Sequence, residues 1–188
     1  MGWRVALSML GNACCAARLS FPMKTIVIGL GNPILGDDGI GWKVAEEVKK
    51  RLTSLRLQRS SSTRGGDEEY IDVEFLSLGG ISLMESLIGY DRAILIDAIA
   101  SDHEPGSVVL SKLSELPDYS AFHTTSTHDT SLQNALKLGK RLGAKLPDEV
   151  MVVGIATQHT YDFGEQLTPP VAAAIPQATK FVIDLLVR

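Results

Sequence analysis

Cysteine is almost missing from this chain: Cys14 and Cys15 stand side by side near the N-terminus, and there are no others. Adjacent cysteines rarely staple a domain. A disulfide framework, a cysteine-ligated metal and a thiol nucleophile are therefore excluded from the rest of the sequence, and a reducing cytoplasm is the expected setting. Positive charge is also in short supply. There are 18 Lys and Arg against 22 Asp and Glu, for a formal net charge of -4, and the basic residues form no long run. Binding to nucleic acid or to an anionic membrane surface is thus poorly supported. No apolar stretch has the uninterrupted length that a membrane span needs, so membrane insertion is not expected. Neither G-x-x-x-x-G-K-[ST] nor G-x-S-x-G occurs, which removes a phosphate loop and a serine nucleophile elbow.

What remains suits a globular protein. The 188 residues are 45% hydrophobic and 21% charged, enough for one domain with a substantial core. The opening, MGWRVALSMLGNACCAARLSFP, is set apart. Arg4 followed by VALSML weakly suggests an export signal, but the apolar run breaks early and Arg18 follows it. Residues 1–22 are expected to be a disordered extension or the product of an upstream start codon, with residues 23–188 as a single α/β domain beginning at Met23.

Apolar runs then alternate with helical patterns. Lys24 to Gly31 reads as a buried strand, because Ile26, Val27 and Ile28 are continuous and glycines end the run. Gly39 to Leu52 reads as a helix with Ile40, Val44 and Val48 on one face. Thr53 to Tyr70, rich in Ser and Arg, reads as a surface loop of little order. Strands are expected at Ile71 to Leu78, Arg92 to Ala100, Gly106 to Leu113 (at an edge) and Glu149 to Ala156. Helices are expected at Ile81 to Gly89, Thr130 to Gly143 and Pro170 to Arg188, the last delayed or kinked by Pro176. This alternation predicts an α/β fold: a mostly parallel sheet of about five strands flanked by helices, with ligand sites beyond the carboxyl ends of the strands.

That rule selects the polar residues worth attention. Asp37 and Asp38 fall between the first strand and its helix. One acid at that position is an ordinary N-cap, and the second is free to point into a cleft, although both being structural stays open. Asp97 ends the apolar strand segment AILID. A carboxylate there is costly unless hydrogen-bonded, paired or ligating a metal, so it either caps a neighbouring loop or belongs to a site. Of the four histidines, His103 lies in a turn and reads as solvent-facing. His159 follows the fifth strand, and His123 and His128 bracket a loop that enters a helix, with His128 the better placed of the two. Two carboxylates and one imidazole from Asp38, Asp97 and His128 would suit Ni²⁺, Zn²⁺ or a similar divalent ion with positions left open. Nucleotide binding is disfavoured, because the segment GLGNPILGDDGIG has Ile34 where G-x-G-x-x-G needs its last glycine, and acids stand where a pyrophosphate would sit. Gly79 and Gly80 read as a tight turn that could also leave room for a substrate backbone.

VIGLGNP (Val27 to Pro33) resembles the opening of bacterial peptidyl-tRNA hydrolase. In that family a tyrosine and a Thr-Arg-His-Asn motif with the catalytic histidine should follow; here ILGDDGIGWKV follows, and the similarity ends at the turn. A broader resemblance runs from Met23 onward through GLGNPILGDDGIG, LGGISLMESLIGYDRAILIDAI, STHDTSLQNAL and VVGIATQHTYDFGEQLTPPV. In this order the motifs resemble the [NiFe]-hydrogenase maturation endopeptidases, whose fold is a three-layer sandwich of the phosphorylase/hydrolase-like kind. The resemblance implies removal of a C-terminal extension from the hydrogenase large-subunit precursor after nickel insertion. It implies Asp38, Asp97 and His128 as metal-contacting and catalytic residues. It further implies that nickel arrives with the precursor, while another divalent ion can occupy the site in the isolated protein. Asp38 stands where well-known members have glutamate, one methylene shorter. An alternative of another class is a noncatalytic metal-sensing or chaperone-like module that docks the large subunit through the same pocket.

If Met23 begins the functional unit, a chain lacking residues 1–22 should unfold at the same denaturant midpoint as the full chain. A lowered midpoint would mean that the extension packs on the domain.

Overall fold

The computed structural model describes residues 23–59, 70–116, 130–158 and 163–187. Continuous β-branched residues make Lys24–Leu30 a strand, β1, in which every residue after Lys24 is buried. Such two-sided burial is typical of a strand inside a parallel sheet. β2 (Tyr70–Leu76), β3 (Arg92–Ala100), β4 (Val108–Lys112) and β5 (Glu149–Thr157) complete a five-stranded sheet in the order β2-β1-β3-β5-β4. β1 runs parallel to β2 and β3, and β3 parallel to β5. β4 is antiparallel to β5 at the edge.

Four helices cover the sheet: α1 (Ile40–Arg59), α2 (Gly80–Ser86), α3 (Leu132–Arg141) and α4 (Pro169–Leu186). Alternation along each strand divides the core in two. Val27, Ile94, Ile96, Val153 and Ile155 pack with Val44 and Val48 of α1 and Val182 of α4. Ile26, Ile28, Leu95 and Val152 pack with Leu83 of α2 and Ala135 of α3. The result is the expected three-layer α/β sandwich. Each fully buried aliphatic side chain contributes about 1.5–3 kcal/mol relative to exposure, so the central strands hold much of the stability.

Two expectations need correction. Thr53 to Arg59, read as loop, continues α1. Thr53 Oγ1 donates to the Lys49 carbonyl at 2.9 Å and Ser54 Oγ to the Lys50 carbonyl at 3.0 Å, so the hydroxyls that usually favour turns are satisfied inside the helix. Leu, Arg and Gln in the same stretch are good helix formers. Tyr70 already belongs to β2, and residues 60–69 lie outside the described residues. Nor does Pro176 delay the last helix. α4 opens at Pro169 and Pro170, where a missing N–H is of no consequence, and Pro176 sits further along on the exposed side. No helix among the described residues is long and apolar enough to cross a membrane.

The chain order creates a crevice. α1 carries the chain from β1 to β2 on one face, and α2 carries it from β2 back across to β3 on the other, so the direction of the connections reverses between β1 and β3. This is the topological switch point at which such sheets bind ligands. α1 approaches it closely because two glycines meet there. A Cβ on Gly41, in the first turn of α1, would collide with the carbonyl oxygens of Leu30 and Ile96, and one on Gly29 would collide with the Gly41 carbonyl.

Those neighbours are backbone atoms and cannot rotate away. Gly41→Ala is therefore expected to force α1 off the sheet and to cost about 2–3 kcal/mol, read as a lower midpoint in urea denaturation. An unchanged midpoint would show that α1 can slide without loss.

Candidate active site

The loop that leaves β1 is held from several sides. Gly31 has φ +123°, a conformation that L side chains rarely adopt, and a Cβ there would strike the Asp38 carbonyl. The Gly31 N–H donates to the Leu76 carbonyl at 3.2 Å, and its own carbonyl accepts Ser77 Oγ–H at 2.6 Å. The loop then tightens into one turn of 3-10 helix, Gly36–Gly39, just before α1.

Both acids lie inside this turn, which corrects the expectation that one of them is an ordinary N-cap. The cap position is Leu35, and no side chain bonds there. Asp37 is 5% exposed. Its Oδ1 accepts the Thr168 N–H at 2.6 Å and its Oδ2 the Thr168 hydroxyl at 2.7 Å. Asp38 is half-buried, and its Oδ2 accepts the Asn32 N–H at 2.7 Å. An ionised carboxylate has about four lone-pair positions, so a backbone bond of this kind orients Asp38 and is compatible with its also serving as an oxygen ligand.

Asp97 ends the apolar part of β3 and is fully buried. By strand alternation it shares the α2/α3 side with Ala93 and Leu95. It is engaged by a partner within the fold, as a buried carboxylate must be. Its register neighbour on β5 is Gly154, over which the Ile99 side chain lies. The Ile96 carbonyl, in the peptide that leads into Asp97, is one of the two atoms against Gly41. The turn bearing Asp38 is thus anchored, three residues on, against the peptide preceding Asp97. The turn that bears Asp38 and the end of β3 that bears Asp97 are therefore adjacent in the fold.

The third expected ligand, His128, lies outside the described residues, as do His123 and His159. Thr130, two positions after His128, is described: its carbonyl oxygen would be 2.8 Å from a Cβ built on Gly80, which has φ +53°. The space beside Gly80 is therefore occupied by the chain's own backbone, and the tight-turn reading of Gly79-Gly80 is the one that holds at Gly80. His103 is exposed, as expected. Among the described residues no three or more His, Cys, Asp or Glu side chains gather as a metal site; two members of the expected trio are present there and the third lies outside.

One functional contact was missed from the sequence. The segment after β5 returns to the Asp38 loop, with Leu35 and Gly164 forming a parallel bridge. The Gly36 N–H donates to the Gly164 carbonyl at 2.7 Å and the Gly164 N–H to the Ile34 carbonyl at 2.9 Å. Nothing local marks Thr168 as the partner of an acid 131 positions away. The only signal is the Thr-Pro-Pro helix start.

Comparison with known proteins places this geometry. The family model described as hydrogenase maturation protease matches residues 56–185. The hydrogenase expression/formation protein HupD of Rhizobium leguminosarum bv. viciae is 26% identical over 163 residues, 87% of this chain and 74% of that protein. The hydrogenase 2 maturation protease of Escherichia coli K12 is 26% identical over 167 residues, 87% of this chain and 91% of that one. Among solved structures, the hydrogenase maturating endopeptidase HybD from E. coli superposes with a TM-score of 0.63 at 25% identity, covering 87% of this chain and 92% of its own. With the family model matched over more than half of the chain and the fold shared with a solved member, the chain belongs to the hydrogenase maturation protease family.

Proposed function

We propose that this maturation protease removes the C-terminal extension of a [NiFe]-hydrogenase large-subunit precursor after nickel has been inserted, and that Asp38, Asp97 and His128 contact the nickel carried by that precursor. The observation that supports the reading is the contact of Gly41, three residues after Asp38, with the Ile96 carbonyl just before Asp97, at the switch point between β1 and β3. Carboxylate oxygens with an imidazole nitrogen suit a borderline divalent ion such as Ni²⁺. Thr130, two positions after His128 in the sequence, lies beside Gly80 at the start of α2.

No cysteine of the domain and no serine elbow point to covalent catalysis. The cysteines of the chain stand only at positions 14 and 15, and G-x-S-x-G does not occur. Cleavage is then direct hydrolysis: a water oxygen bonds to the scissile carbonyl carbon, the C–N bond breaks, and a proton passes to the departing amine. In this scheme Asp38 and Asp97 orient the precursor through its metal. The same dependence enforces order, because a precursor without nickel presents nothing for the acids to hold. Another divalent ion, if it occupied the isolated enzyme, would compete with the loaded precursor. We place the reaction in the cytoplasm, in keeping with a core that uses no cysteine.

Incubation with nickel-loaded precursor tests the reading by the mass of the large subunit. Wild type should shorten it at the C-terminus and should leave nickel-free precursor whole. Asp38→Ala, Asp97→Asn and His128→Ala should each slow trimming on the order of 100-fold or more, while Asp38→Glu, which keeps the carboxylate, should retain most of the rate. Trimming undiminished in the three variants would remove the assigned roles. Stable association of wild type with loaded precursor, without any trimming, would favour the docking-module alternative.

A further inference from the structure

Asp37 has a different part to play from its neighbour. Its carboxylate is nearly inaccessible, and both oxygens are taken by one residue, Thr168. Charge-assisted hydrogen bonds of 2.6 and 2.7 Å are among the stronger side-chain interactions available to a protein. Thr168 itself is unusual as a helix cap. A threonine at that position normally accepts a helix N–H through its hydroxyl oxygen, yet no such bond forms here. Pro170 at the second helical position carries no N–H, and the Val171 N–H at the third makes no bond to the Thr168 hydroxyl. The hydroxyl is left to donate its proton to Asp37.

The contact is continued by the Leu35–Gly164 bridge, so the segment after β5 grips the 34–38 turn at two places, Gly164 and Thr168. Asp38 is the next residue along that turn. In a 3-10 helix successive side chains point about 120° apart, which lets Asp37 face Thr168 while Asp38 accepts the Asn32 N–H.

We propose that Asp37 is a positioning residue: by bonding Thr168 through both oxygens it fixes the turn that aims the Asp38 carboxylate into the crevice. The proposal rests on the reading of Asp38 as a substrate-contacting acid. Asp37 touches neither metal nor scissile bond, and its effect passes through the backbone it shares with Asp38.

Thr168 is exposed, so changing it opens no cavity in the core, and the Thr168 N–H still partners one oxygen of Asp37. Thr168→Val removes the hydroxyl donor and keeps the N–H; Thr168→Ser keeps both. With nickel-loaded precursor, Thr168→Val should lower kcat on the order of 10-fold with KM changed by about twofold or less, and Thr168→Ser should restore kcat. Asp37→Ala should lower kcat further in the same pattern. Amide hydrogen exchange, which needs no precursor, reads the contact separately. In Thr168→Val the Gly36 and Gly164 N–H groups should exchange on the order of 10-fold faster, while the N–H groups of β1 and β3 stay as in wild type. Undiminished kcat in Thr168→Val, a loss confined to KM, or a Thr168→Ser variant as impaired as Thr168→Val would overturn the proposal. Unaltered exchange at Gly36 and Gly164 would overturn it independently. If wild type trims no precursor, the endopeptidase reading fails instead, and the Asp37–Thr168 contact is then judged on exchange alone.

Discussion

The candidate site depends on how closely α1 lies against the sheet. Gly29 on β1 and Gly41 on α1 meet with no side chain between them, and Gly41 also touches the backbone of both β1 and β3. A helix normally packs with side chains between its backbone and its neighbour, about 8–10 Å from axis to axis when that neighbour is another helix. Removing the side chains at one point brings the N-terminus of α1 down onto the strand ends. The 3-10 turn that precedes the helix follows it, and Asp38 reaches the crevice between β1 and β3. Any residue larger than glycine at position 41 lifts the acid along with the helix.

Burial then divides labour among three carboxylates. Asp37 and Asp97 are almost or wholly inaccessible, and each would be costly there without a partner. Asp37 recovers that cost from Thr168, and Asp97 has its own partner within the fold. Asp38 is more open, and its carboxylate accepts the Asn32 N–H from its own loop. Two adjacent acids are therefore engaged differently, Asp37 buried against Thr168 and Asp38 half-buried on the Asn32 N–H.

Much of the fold was legible because its signals are local. Continuous apolar runs marked β1, β3 and β5, alternation marked β2, and β3 was bounded to the residue. The mostly parallel, three-layer arrangement followed from the alternation of strands with helices. The end of α1 was not legible, because Thr and Ser resemble loop residues until their hydroxyls are seen to bond carbonyls one turn back. At the site, Asp38 and Asp97 could be picked out by position: an acid at the end of an apolar run has few structural reasons to be there. Thr168 could not, since its partner lies 131 residues away and depends on how the segment after β5 folds back.

The placement of Thr168 also explains why the loop after β5 and the loop after β1 act as one wall. Gly164 supplies two backbone hydrogen bonds to the stretch Ile34–Gly36, and Thr168 supplies two more to Asp37. Four bonds spread over five residues resist both sliding and opening, because either motion breaks several at once. The wall is tied in turn to α4, whose first intrahelical bond is the Ala172 N–H to the Thr168 carbonyl. α4 packs with α1 in the same core layer. The acid that faces the crevice is consequently braced through two routes, directly along the chain into α1 and across Asp37 into α4, and both end in the same hydrophobic layer.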